Sequence, residues 1–299
     1  MREPDFFVVG AAKSGTTALW KYFQQHPDIF VTDKIEHKEL GYYSNQYGIS
    51  NKERYLSFFK DAKREQIIGE VCHAYLTAKE SSEWIKNDVP NAKIIIILRN
   101  PIDRAFSLYN WMVMHGYENA TTFEHALKKE KEIKNNNYDK SKLLHSFHQN
   151  YHYFNSGLYY KQVKRYFDVF GKENVIVVEY EDFKKHTENT LINIFEFLDL
   201  SYFPIQMDYM INKSKKVYST YLQYFSRRVL LRFTRKNKII KNVFNHVLIQ
   251  NVRQGKPKGI KLKTLKLLKL NYKKDVEKLS DLTSIDFVKK WNFYDKSLT

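Results

Sequence analysis

Residues Phe6 to Tyr22 read FFVVGAAKSGTTALWKY, and this stretch decides the fold. Phe6, Phe7, Val8 and Val9 form a short, wholly apolar run of β-forming residues. Such a run suits a strand buried on both faces of a parallel sheet. Gly10 to Gly15 then make a small-residue turn, and Thr16 to Gln24 have helical composition. Strand, glycine-bounded loop and helix start together make an anion site. The loop and first-turn N–H groups point outward, and the helix dipole favours negative charge there. Lys13, Ser14, Thr16 and Thr17 add one ammonium and three hydroxyls. The expected guest is a phosphate.

The loop is close to a Walker A motif without being one. That motif places lysine directly after its second glycine, followed by serine or threonine. Here Gly10 and Gly15 have the required separation, but Thr16 stands where the lysine should be, and Lys13 sits earlier, inside the loop. Lys13-Ser14-Gly15-Thr16-Thr17 after a buried strand resembles the 5′-phosphosulfate loop of the sulfotransferases. Those enzymes use 3′-phosphoadenosine 5′-phosphosulfate (PAPS) as sulfuryl donor.

A second motif spans Lys93 to Met112, KIIIILRNPIDRAFSLYNWM. Ile94 to Leu98 is an unbroken run suited to a central strand, and Pro101 suits the first turn of a helix. Arg99 falls at the carboxyl end of that strand, where open α/β sheets bind ligands. Arg99-x-Pro101-x-x-Arg104-x-x-Ser107-x-Tyr109 resembles the 3′-phosphate-binding motif of the same family. The resemblance implies that Arg99, a planar permanent cation, and Ser107, a hydroxyl, hold the 3′-phosphate. Arg104 is expected either on the same anion or paired with a carboxylate on the helix surface. An ordinary NTPase needs an acidic residue at the end of its Walker B strand to hold magnesium. An arginine there repels a metal and attracts a second phosphate.

The remaining signals are local. Glu36-His37-Lys38-Glu39 followed by Tyr42-Tyr43 resembles the Lys-Glu-x-x-Phe-Phe segment of heparan-type and related bacterial sulfotransferases. By that resemblance Glu39 is the general base, with Lys38 beside it. Ile67 to Leu76 is a further buried-strand candidate, where the family has Glu-Lys-(Ser/Thr)-Pro-x-Tyr. Glu70, Ala74 and Tyr75 fit that segment; the lysine is absent and His73 replaces the proline. His73 and His37 are reserve candidates for the base, since imidazole has a proton affinity suited to that work near neutral pH. Gly157-Leu158-Tyr159, a helix to Phe170, Gly171 as its cap, a strand at Val175–Val178 and then Tyr180-Glu181-Asp182 follow the family's order. The resemblance assigns Tyr159 to seating the nucleotide, and Lys258 and Gly259, in a late basic turn, to covering the 3′-phosphate.

Composition sets the outer bounds. The chain has 299 residues, a formal net charge of +17 and one cysteine, Cys72. A single cysteine permits no internal disulfide and suits a reducing compartment. No run of about 18 apolar residues is present for a membrane span, and the first strand begins too early for a signal peptide. A cytoplasmic protein is expected. The positive charge asks for an anionic partner. His145, His148 and His152 recur at helical spacing and are expected on a polar helix over the cleft mouth; no metal site is expected. Tyr218 to Val252, with Arg227, Arg228, Arg232, Arg235, Lys236, Lys238 and Lys241, reads as a basic amphipathic helix or helix pair. It suits an acceptor-site cap, an anionic-acceptor site or a membrane-surface helix; a cap is preferred.

The fold expected is α/β: one domain over residues 1–299, with a P-loop-like central parallel sheet flanked by helices. Helical insertions at 115–152 and 206–254 are expected over the active site. The function implied is in-line, metal-independent sulfuryl transfer from PAPS to a hydroxyl or amine of a small-molecule or glycan acceptor, leaving adenosine 3′,5′-bisphosphate. Two other readings stand beside it: a P-loop nucleotide kinase, and a non-catalytic basic protein binding nucleic acid or membrane.

Overall fold

The computed structural model describes residues 1–45, 47–207, 215–233 and 238–294. Arg235 and Lys236 of the basic stretch lie outside them. In chain order the first elements are β1 (Phe6–Gly10), α1 (Thr16–Phe23), β2 (Ile29–Phe30), α2 (Lys52–Ser57), β3 (Ile67–Val71), α3 (Ser81–Asp88) and β4 (Lys93–Leu98). Then come α4 (Pro101–Met114), α5 (Phe123–Lys134), α6 (Tyr159–Phe170), β5 (Val175–Glu179), α7 (Tyr180–Lys185) and α8 (Thr187–Phe197). The chain ends with β6 (Lys215–Val217), α9 (Thr220–Phe233), α10 (Lys238–Gln250), β7 (Val252–Gln254), α11 (Leu262–Thr283) and α12 (Phe287–Lys290). Two compact units divide these elements, and one of the boundaries between them along the chain falls within α11.

The first unit comprises Met1–Asn100, Leu158–Ile211 and Lys273–Asp295. Its sheet has the order β2-β3-β1-β4-β5, and every pairing is parallel. The run Phe6–Val9 is buried throughout, as a central strand covered on both faces must be. Ile94 to Leu98 of β4 are likewise fully buried. Phe6 of β1 pairs with Gly69 of β3. A Cβ at Gly69 would lie 2.1 Å from the Phe6 ring, so only glycine leaves room for that ring beside the neighbouring strand. One face of the sheet packs on α1 and α8 through Phe6, Val8, Leu19, Phe23, Leu191 and Phe195. Burial of such side chains is worth about 1.5–3 kcal/mol each relative to exposure. The helix expected to run to Phe170 closes on Gly171, which takes φ 80° as its C-cap.

The second unit comprises Pro101–Gly157, Asn212–Tyr272 and Lys296–Thr299. It contains α4, α5, the pair α9–α10 and a two-stranded antiparallel ribbon, β6–β7. The basic stretch thus forms a helix pair. Two expectations fail in this unit. His145, His148 and His152 share no helix face: only His148–Tyr151 is helical, as a single 3-10 turn. The Tyr151 hydroxyl accepts from the backbone N–H groups of Leu144 (3.1 Å) and His145 (3.2 Å), and that bridge holds the segment as a turn. Arg104 is wholly buried and not on the helix surface. It donates to the carbonyl of Tyr153, and the buried carboxylate of Glu130 is its electrostatic counterpart. Among the described residues no helix is long and apolar enough to cross a membrane.

Candidate active site

Three adjacent strands, β3, β1 and β4, run parallel, so their carboxyl ends share one edge of the sheet. Open α/β sheets place ligands at that edge. Lys13 follows β1, His73 follows β3, and Arg99 follows β4 directly.

The loop after β1 is pinned at its start, where the Ala11 N–H donates to the Ile97 carbonyl at 2.7 Å. It then takes two left-handed residues, Lys13 at φ 67° and Gly15 at φ 92°. Lysine rarely adopts that conformation, and such backbone strain gathers at ligand sites. Gly15 serves as the N-cap of α1, and no side chain caps the helix. The first turn also carries no acidic residue. The helix start therefore keeps its backbone donors and its positive end for something else. Ser14 is fully buried, and its Oγ has no hydrogen-bond partner. Thr16 is buried and Thr17 exposed.

Arg99 reaches back to this loop. Its Nη1 donates to the Lys13 carbonyl at 3.2 Å, and its guanidinium carbon lies 4.8 Å from the centre of the Tyr180 ring. Its buried Nε has no partner. The hydroxyl of the fully buried Tyr159 donates to the Arg99 carbonyl at 3.1 Å. Burial, then Arg99, then Lys38 push the Lys13 ammonium down from 10.5 to about 8. An adjacent anion would act against all three, since an opposite charge favours the protonated form. A buried serine hydroxyl and a buried guanidinium N–H without partners are what a phosphate-bearing ligand would satisfy, so these residues fit a nucleotide.

Glu39 lies between Lys38 and His73. Lys38 Nζ donates to one carboxylate oxygen and also stands 3.4 Å from Thr16 Oγ1. The other oxygen accepts from both the backbone N–H and Nδ1 of His73, each at 2.8 Å. Burial would raise the Glu39 pKa, but His73 and then Lys38 outweigh it and hold the carboxyl well below the usual range. His37 packs instead edge-on against Phe58, with ring centres 4.8 Å apart. Glu70 is sealed by the hydroxyls of Tyr55 and Tyr75, both at 2.6 Å, and burial pushes it up to about 7.

Lys13, Ser14, Gly15, Thr16, Thr17, Glu39, Arg99 and Tyr159 all belong to the first unit; Ser107, Lys258 and Gly259 belong to the second. There Ser107 is partly buried on α4, and Lys258 and Gly259 are exposed before α11. Sequence reasoning missed Tyr180 as the ring beneath Arg99, and the Glu39–His73 bond. A cavity of about 610 Å³ in the first unit is lined by Tyr42, Tyr47, Trp84 and Asp88 among others, and by none of the phosphate-loop residues. Among the described residues no group of three or more His, Cys, Asp or Glu is assembled for a metal.

Comparison with known proteins gives the class to which this chain belongs. The sulfotransferase domain model matches residues 3–237, so the chain belongs to the sulfotransferase-domain family. The crystal structure of a sulfotransferase from Alicyclobacillus acidocaldarius superposes with a TM-score of 0.73 at 27% identity, covering 98% of this chain and 100% of that one. The membrane-associated sulfotransferase kil1 of Dictyostelium discoideum is 23% identical over 269 residues, covering 67% of this chain and 56% of that protein. A bifunctional heparan sulfate N-deacetylase/N-sulfotransferase 1 from Caenorhabditis briggsae is 23% identical over 214 residues, 71% of this chain and 24% of that protein. The chain thus spans about half, or a quarter, of the length of these relatives.

Proposed function

We propose that this protein transfers a sulfuryl group from PAPS to a hydroxyl or amine of an acceptor, releasing adenosine 3′,5′-bisphosphate. The observation that carries this reading is the convergence of Lys13 and Arg99, from the ends of adjacent strands, on one loop. PAPS supplies an already activated sulfuryl group. Lys13, the α1 amides and the hydroxyls of Ser14, Thr16 and Thr17 are assigned to its 5′-phosphosulfate end. Arg99 and Ser107 are assigned to its 3′-phosphate, Tyr159 to seating it through Arg99, and Lys258 and Gly259 to covering it. Lys13 meets the charge that builds on the leaving phosphate, and such preorganised charge is usually the largest catalytic contribution.

For the acceptor proton we assign Glu39 and His73 as a pair. Glu39 is held ionised by its neighbours and is a weak base for that reason. Its bond to His73 Nδ1 fixes the tautomer in which Nε2 carries the lone pair. His73 Nε2 then takes the proton, and Glu39 orients the ring and balances the imidazolium. Small-molecule and glycan acceptors both suit this reading, and the N-sulfotransferase relative acts, by its name, on heparan sulfate. A cytoplasmic setting is consistent with the one buried cysteine, Cys72.

Calorimetric titration with adenosine 3′,5′-bisphosphate and with ATP, each in EDTA and again with magnesium, tests the reading. Metal-independent binding of the bisphosphate is expected, followed by transfer of labelled sulfate in an acceptor screen. Preference for ATP, or binding that needs magnesium, would favour a kinase instead.

A further inference from the structure

Residues 209–274 contain 19 lysines and arginines and no aspartate or glutamate. The rest of the chain holds 31 basic and 33 acidic residues, so this one segment carries the whole positive balance of the protein. It also exposes most of the large apolar side chains. Of the 17 exposed large hydrophobics among the described residues, 11 lie between Tyr218 and Leu270.

Helix α9 shows how the two features combine. Its buried stripe is polar: Gln223 and Ser226 are 2% and 0% exposed, with Leu230 beside them. Gln223 Nε2 donates to the carbonyls of Met114 (2.6 Å) and Leu248 (3.2 Å), and its Oε1 accepts from Asn251 Nδ2 at 2.7 Å. Asn251 in turn donates to the Ser219 carbonyl at 2.7 Å. Arg227 donates to the His115 carbonyl at 2.8 Å. The outward stripe is the apolar one. Tyr221 and Phe225 are 77% and 47% exposed, and they share a face with Arg228 and Arg232 at helical spacing. Leu231 flanks them, 51% exposed. Helix α10 packs on α9 through Phe244 against Phe225, and it exposes Val243 and Ile249 while burying Leu248.

This is the reverse of a helix in a water-soluble fold, which turns its apolar face inward. Apolar side chains interleaved with arginine and lysine, with no acid among them, match an interface that is negatively charged at its surface and hydrocarbon beneath. A nucleic acid or a sulfated glycan would satisfy the cations but offers little to Val243, Ile249 and Leu231. We propose that the outer face of α9 and α10 docks on an anionic phospholipid bilayer. Tyr221, Phe225 and Leu231 enter the interface, and Arg228 and Arg232 reach the lipid phosphates. The docking face is a property of the second unit and does not depend on the transfer chemistry.

Vesicle flotation with the whole chain tests this. Phosphatidylcholine vesicles are compared with vesicles containing phosphatidylserine at 30%, as an order-of-magnitude anionic fraction typical of such surfaces. Binding is expected only with the anionic lipid and should fall as salt is raised. Arg228→Gln and Arg232→Gln should each lower the partition coefficient about five-fold, as expected for one charge near an anionic surface. Tyr221→Ser with Leu231→Ser should lower it about ten-fold or more, while far-UV circular dichroism and the melting temperature stay unchanged. No flotation with anionic vesicles overturns the proposal. So does flotation that the four substitutions leave intact. Concentration-dependent dimerisation abolished by the two serine substitutions would assign the face to a second copy, and binding to heparin or nucleic acid without flotation would assign it to a polyanion.

Discussion

Arg99 Nη1 donates to the main-chain oxygen of Lys13 at 3.2 Å, although 86 residues separate the two in sequence. The bond holds the loop's left-handed lysine and places a permanent cation beside it. Removing the guanidinium therefore removes a ligand contact and a loop support together. Arg99→Ala should weaken binding of adenosine 3′,5′-bisphosphate by about 2–5 kcal/mol, the usual cost of truncating a buried charge contact. Calorimetry reads this directly. Arg99→Lys should recover only part of the loss, because an ammonium cannot replace the planar fork.

The Glu39–His73 pair separates two roles. His73→Ala should lower turnover by about 10²–10⁴ with donor binding retained, the range for a removed proton acceptor. Glu39→Gln should cost less, because the imidazole remains and only its orientation and charge balance suffer. Steady-state kinetics on both variants checks the order. A Glu39→Gln loss as large as that of His73→Ala would return the base role to the carboxylate.

Lys13 links donor binding to pH. Its ammonium is depressed to about 8 by burial, Arg99 and Lys38. A phosphate dianion prefers the protonated form. Affinity for the bisphosphate should therefore be fully present below pH 8 and decline as pH rises above it, until the raised pKa of the complex is passed. In Lys13→Ala that slope should vanish, and turnover should fall more than donor affinity. The ligand-free protein should respond in the opposite sense. Because the folded pKa lies below the unfolded value of 10.5, deprotonation favours the fold, and stability should rise between pH 8 and 10.5 from this group.

Gly69 carries a purely structural expectation. A methyl group there meets the Phe6 ring at 2.1 Å, within paired backbone that has little room to shift. Gly69→Ala should destabilise the protein by about 1–3 kcal/mol, as overpacking of a core does. Thermal unfolding checks this, and Phe6→Leu in the same chain should restore part of the loss.

The parts of this fold that could be read from sequence are those whose signal is contiguous. Phe6–Val9 and Ile94–Leu98 are buried strands because each is an unbroken apolar run, and a strand covered on both faces needs no alternation. The strand–loop–helix turn after β1 was legible because glycine, lysine and hydroxyl residues fall within a few positions of each other. Contacts made by distant segments were not legible. Tyr180 beneath Arg99 depends on β4 and β5 lying side by side, and the Glu39–His73 bond joins two segments whose proximity only the fold creates. The histidine spacing at 145, 148 and 152 failed for a different reason: no apolar periodicity accompanies it, so it has no packed face to make a helix pay. Arg104 showed no sign of burial, because its partners Tyr153 and Glu130 come from elements far along the chain.

The most direct measurement compares two nucleotides that differ only in the 3′-phosphate, adenosine 3′,5′-bisphosphate and adenosine 5′-monophosphate, on the unaltered protein and on Arg99→Ala. The unaltered protein should prefer the bisphosphate by about 30-fold or more, equivalent to about 2 kcal/mol at a buried charge contact. Arg99→Ala should bring that preference close to one, weakening the bisphosphate far more than the monophosphate, which loses only what the loop support contributes. Equal weakening of both nucleotides, or no change in either, would contradict a site in which Lys13 and Arg99 hold opposite ends of one donor.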